Sequence, residues 1–213
     1  MKRIVIQLIL ITGAIVLAML TWKSIQKPIN FEKEKKIRYD KVIERLNDIR
    51  KAQIAFKDVH GKFCGNWDSL ITFVKYDSIP AVRKIGMLTD SMIETGLDEK
   101  AAMIKGLIVR DTLKVKILDE IFTSNYPIEK LGVIPNSNGE KFWLSQTIIT
   151  SNSGVKVPVF EVRAHNNQIL FELLDDYKQE IVNLNEQCRV NNLYPGLKVG
   201  SVEEANNNAG NWE

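Results

Sequence analysis

The sequence predicts an α+β fold carried on a membrane helix. Three observations lead there: an uncharged apolar run over residues 4–22, an amphipathic helical repeat directly after it, and a pair of β-rich segments in the C-terminal half. The expected architecture is a transmembrane helix continuing into an amphipathic stem helix, packed on a small antiparallel sheet with a long helix in the C-terminal half. The corresponding divisions are a cytoplasmic tail over 1–3, a signal anchor over 4–22, a stem over 23–58 and an extracytoplasmic head over 59–213.

Residues 4–22, IVIQLILITGAIVLAMLTW, contain Gln7 and two threonines as their only polar interruptions. At about 1.5 Å per residue such a helix reaches about 28 Å, close to the ~30 Å hydrocarbon thickness of a bilayer. A cleaved secretory signal, a signal anchor and a buried soluble helix are the competing interpretations. A cleaved signal wants a shorter run and a small-residue cleavage site, whereas this run ends in Met19-Leu20-Thr21-Trp22. A soluble helix would show a polar face, which this one lacks. The signal anchor is therefore expected. Lys2 and Arg3 flank one end and Lys23 and Lys27 the other, so charge alone sets the direction weakly. A short tail before a large domain is the usual export geometry, which places the N-terminus inside and the bulk of the chain in the periplasm or its equivalent, on an inner (cytoplasmic) membrane.

The chain carries 29 basic and 26 acidic residues, and without residues 1–22 the balance is 27 to 26. Nucleic-acid binding is disfavoured, because it needs a basic excess on one face.

Pro28 is expected to break or kink the chain just past the membrane. From 31 to 57 the pattern is again helical. Tyr39, Val42, Leu46, Ile49 and Phe56 recur at helical spacing, with Gln53 in the vacant place and Ile43 and Ile54 widening the stripe. That stripe must be covered by the chain's own domain or by a neighbouring copy, which makes it a candidate interaction face. A short helix over 67–75 follows, capped near Asn66 or Asp68. Residues 76–106 are mixed, punctuated by Pro80, Gly86, Gly96 and Gly106, with a helix over 98–105; 107–118 is expected to be extended. Segments 142–150 and 155–164 flank Ser151-Asn152-Ser153-Gly154 as a hairpin, with Pro158 putting the second strand at an edge or bulge. A helix over 168–188, a Tyr194-Pro195-Gly196 turn, a strand over 197–202 and an Asn-rich end complete the chain.

No glycine-rich phosphate loop, nucleophile elbow or zinc motif is present. His60 precedes Gly61 at a helix end and His165 precedes a turn, settings in which histidine satisfies backbone groups. Glu172, Asp175 and Asp176 form a solvated face sooner than a metal site. Cys64 and Cys188 are a candidate disulfide in an oxidising compartment, worth up to about 5 kcal/mol in the chain-entropy model. Cys188 fits equally well as an ordinary apolar position. The expectation is no enzyme, no cofactor and no metal.

Residues 49–70, IRKAQIAFKDVHGKFCGNWDSL, resemble the end of the long N-terminal helix in type IV pilins and type II secretion pseudopilins. The residues that carry the resemblance are Phe56, Gly61, Phe63, Trp67 and Leu70. It implies a membrane helix leading into an α+β head, with Gly61 ending the helix in a left-handed conformation and Phe56 and Phe63 packing its end. A prepilin processing site is absent, since Gly13 is followed by Ala14 and residue 18 is Ala. The expected function is a non-enzymatic structural or interaction subunit of a secretion, pilus-like or other envelope assembly. Its partners would be the lipid bilayer and other envelope proteins or copies of itself. The alternative is a membrane-tethered ligand-binding or sensory domain.

Overall fold

The computed structural model describes residues 2–85, 96, 98–104, 107, 109–123, 125–150 and 154–213. Gly86, Gly106, Lys105, Met1 and the hairpin residues Ser151, Asn152 and Ser153 lie outside the described residues. The fold is α+β, with a long apolar N-terminal helix and small antiparallel sheets. Two compact units make up the chain: Met1–Arg50 with Gly132–Glu213, and Lys51–Leu131. One boundary therefore falls inside the stem helix, and a second at residues 131–132.

In the first unit, α1 (Lys2–His60) enters as one uninterrupted helix with Pro28 inside it. The expected break at Pro28 does not occur. Proline removes one backbone hydrogen bond, but side chains on either side hold the helical course. Lys27 Nζ lies 3.4 Å from Glu180 Oε1, and the Phe31 ring lies 5.5 Å from that of Tyr177.

Strands β3 (Trp143–Thr150), β4 (Lys156–His165) and β5 (Gly196–Gly200) form an antiparallel sheet in that order. β4 is central, yet Pro158 pairs only with Ile148 of β3, because β5 covers β4 from Glu161 to His165 alone. The proline thus occupies a locally open edge, which its missing N–H requires. Gly200 has φ of 73°, and a Cβ there would meet the Phe160 carbonyl oxygen at 2.1 Å, so only glycine fits this approach. Asn192, Asn207 and Asn208 adopt positive φ, which explains the Asn-rich tail: asparagine tolerates the left-handed region better than other side chains.

The helix expected over 168–188 is in three pieces: α5 (Asn166–Ile169), a 3-10 turn (Phe171–Leu173) and α6 (Lys178–Val190). His165 starts the first with a capping box, its backbone N–H donating to Gln168 Oε1 at 2.9 Å and its Nδ1 accepting from Asn167 N–H at 3.2 Å. Asp175 and Asp176 are poor helix formers, and Tyr177 leaves helical geometry to dock on Phe31, so tertiary contact overrides the repeat.

In the second unit, α1 ends at His60 and Gly61 turns with φ of 72°. Helix α2 (Trp67–Tyr76) is capped by Asn66, whose Oδ1 accepts from Asp68 N–H at 2.8 Å and Ser69 N–H at 3.1 Å. Strand β1 (Ser78–Ile85) pairs antiparallel with β2 (Val109–Lys116), with α3 (Glu99–Ile104) between them in sequence. Helix α4 (Ile117–Ile121) and a 3-10 turn (Ile128–Lys130) lie against α2.

Candidate functional site

The apolar run is the first candidate. An 18-residue window of α1 has mean hydropathy 1.6 and none of it is buried. Trp22 is 70% exposed, and Leu10, Leu17 and Met19 are similarly open. Such a surface is stable in lipid and costly in water, so α1 is a candidate membrane-spanning segment and membrane anchor.

The stem stripe has a different fate. Val42, Leu46 and Ile49 are fully buried within this one chain, each stabilising the fold by about 1.5–3 kcal/mol. The Tyr39 hydroxyl donates to Asn166 Oδ1, and burial, followed by the nearby Cys188 and Glu32, pushes its pKa up. Phe56 is half-buried, stacked on His60 at 4.1 Å and edge-on to Phe73 at 4.9 Å. The chain itself therefore covers Val42, Leu46 and Ile49, while Tyr39 and Phe56 are half-buried. Ile54, expected to widen it, is 40% exposed because it lies on the far side of the fully buried Ala52 and Gln53.

Around the helix end, Phe63 and Leu70 are buried and Trp67 is half-buried. Gln53 ties this turn together: its Nε2 donates to Cys64 O at 2.8 Å, and Cys64 N–H donates to its Oε1 at 2.9 Å. The His60 ring nitrogen Nδ1 contacts Phe56 O at 3.2 Å. Cys64 and Cys188 are free thiols. Cys64 is buried with Sγ 3.2 Å from Asn66 O, and burial pushes its thiol up from the ordinary cysteine range. Cys188 is half-buried beside Tyr39 and Leu184, in a groove of about 450 Å³.

Among the described residues no group of three or more His, Cys, Asp or Glu is placed to hold a metal ion. Glu172 binds Arg38 at 3.1 Å. His165 serves as a helix cap, and its partial burial lowers its pKa. Glu161, on the sheet, is buried and paired with Arg163 at 3.2 Å, while the Arg163 guanidinium stacks 3.9 Å above its cross-strand partner Trp143. The Arg163–Trp143 stack covers part of the sheet face.

An open groove of about 630 Å³ belongs to the second unit and is walled by Ile54, Ala55, Val59, Ile79 and Ile121, with Lys51, Asp58 and Glu120 at its margin. A smaller pocket of about 450 Å³ adjoins the end of the apolar run, formed by residues 23–30 and by Asp176 and Tyr177. Neither was visible as a motif. The first depends on Ile54 and Val59 lying exposed beside the buried stripe, and the second joins segments about 150 residues apart in sequence.

Comparison of the chain with protein-family models, with curated proteins and with solved structures finds no match in any of the three.

Proposed function

We propose that this chain is a single-pass envelope protein, N-terminus inside, acting as a non-enzymatic structural or interaction subunit of a secretion, pilus-like or other envelope assembly. The observation that carries the reading is the continuity of α1. One helix presents an exposed apolar surface over residues 9–22 and then, without interruption, buries Val42, Leu46 and Ile49 in a folded head. A rigid connection of this kind transmits the position of a membrane helix to a domain, which a flexible tether would not. A pilin-like relationship belongs to the same proposal, with the left-handed Gly61 at the helix end as the feature it would use. Residues 23–213 would face the extracytoplasmic side of the inner membrane.

The groove beside Ile54 and Val59 is the surface on which a protein partner or another copy would be met. A photo-crosslinking residue at either position, in intact membranes, is expected to give a discrete adduct larger than the 24.3 kDa chain. Unshifted chain at both positions would contradict the reading. The groove's volume of about 630 Å³ and apolar walls also favour a second reading, a tethered ligand-binding or sensory head. Stabilisation of the full chain by a small molecule, abolished by Ile54→Lys, would select it.

A further inference from the structure

Past Trp22 the helix α1 becomes two-faced. Trp22, Ile25 and Ile29 stay on one side, 70%, 56% and 55% exposed, while Lys23, Gln26, Lys27 and Asn30 occupy the adjoining side. Spacings of three and four residues keep each set together. The turn before α6 comes down on the polar side, with the Lys27 ammonium 5.8 Å from the Tyr177 ring centre and 3.4 Å from Glu180. The result is the open pocket of about 450 Å³ lined by Lys23, Gln26, Lys27, Asn30, Asp176 and Tyr177.

Its depth is set by the helix. Lys23 to Asn30 lie from about 1.5 Å to about 12 Å beyond Trp22 along the axis, and the polar layer of a bilayer occupies about 5–8 Å per side. With the apolar run in the hydrocarbon, the pocket opens into the headgroups, and the exposed Trp22-Ile25-Ile29 strip lies where amphipathic and aromatic side chains favour the interface.

We propose that this pocket holds the headgroup of a bilayer phospholipid, its phosphate between Lys23 and Lys27 and its amine at Asp176. The proposal rests on the membrane-anchor reading. Two ammonium groups and the amides of Gln26 and Asn30 supply donors for phosphate oxygens. Asp176 supplies a carboxylate for a cation, the Tyr177 ring already lying under the Lys27 ammonium. A primary amine satisfies the carboxylate by hydrogen bonds as well as charge. A quaternary amine satisfies charge alone, and an anionic headgroup without an amine leaves Asp176 opposing it. Phosphoethanolamine is the headgroup that meets all the groups present, and occupying the site would hold the head at the membrane surface.

The full-length protein, reconstituted in nanodiscs of equal phosphatidylethanolamine, phosphatidylglycerol and phosphatidylcholine, tests this by native mass spectrometry after release. Phosphatidylethanolamine should be retained preferentially. Asp176→Asn should cut that preference at least about threefold, Lys23→Gln should lower retention of all three lipids by a similar factor, and Lys36→Gln, on an exposed part of α1 outside the pocket, should change nothing. Excess soluble phosphoethanolamine or inorganic phosphate should leave retention unchanged. Displacement of the lipid by either would overturn the assignment to a bilayer headgroup in favour of a free solute. Equal retention of the three lipids by wild type and variants, in protein that still resists alkaline extraction from membranes, would overturn the proposal while leaving the anchor intact. Extraction of wild type at high pH would remove the anchor and the proposal together.

Discussion

Single residues in this protein do structural work that the chemistry of their side chains disguises. Gln53 occupies the one polar place in an apolar stripe and is fully buried, because its amide closes both the N–H and the C=O of Cys64. Gln53→Leu keeps the volume but orphans two buried backbone groups, at about 1–3 kcal/mol each. Thermal unfolding of the detergent-solubilised full chain should show a loss of about 2–6 kcal/mol. His165 gives a pH-dependent counterpart. Its burial lowers the pKa, so the folded state binds this proton less readily than the unfolded chain. The contribution is complete above the unfolded value of about 6.5 and is lost as pH falls through and below it. Protonation also removes the Nδ1 acceptor that caps Asn167 N–H. Wild type should therefore lose more thermal stability between about pH 7.5 and about pH 5.5 than His165→Asn, which caps without titrating. Equal losses would show that the imidazole is not responsible.

At the scale of elements, local signals and tertiary contacts divide the outcome. Helix α2 was legible because Asn66 is a strong cap before an apolar repeat, and β3 and β4 because β-branched residues flank a turn. Strand β1 was not, since its sequence SIPAVRKI carries a proline and no regular alternation, and its partners in β2, from Val109 opposite Ile85 to Lys116 opposite Ser78, lie well away in sequence. The apolar stripe of α1 showed that something must cover it but not what. Contacts such as Tyr39 with Asn166 and Arg50 with Glu213 identify the cover as the C-terminal part of the same chain. Pro28 argued for a break that Lys27 and Phe31 prevent. The helix nonetheless bears the cost of a missing hydrogen bond at an exposed position. Pro28→Ala should restore it and raise stability by about 1–3 kcal/mol in chemical denaturation of the full chain in detergent. A decrease would mean that the proline ring itself contributes packing.

For the whole molecule, the account rests on a partition of hydrophobicity between two solvents. The stem buries Val42, Leu46 and Ile49 in protein, whereas residues 9–22 leave their apolar side chains open. The candidate anchor was legible in sequence as an uncharged run of membrane length. The pocket beside the end of the run was not, because Asp176 and Tyr177 join Lys23 and Lys27 only through the broken course of the chain between α5 and α6. The direct measurement is alkaline carbonate extraction of membranes from cells making either the full chain or a chain lacking residues 2–22. The full chain should stay in the pellet and the shortened chain should be released folded. Release of the full chain at high pH would contradict the anchor on which the proposed function depends.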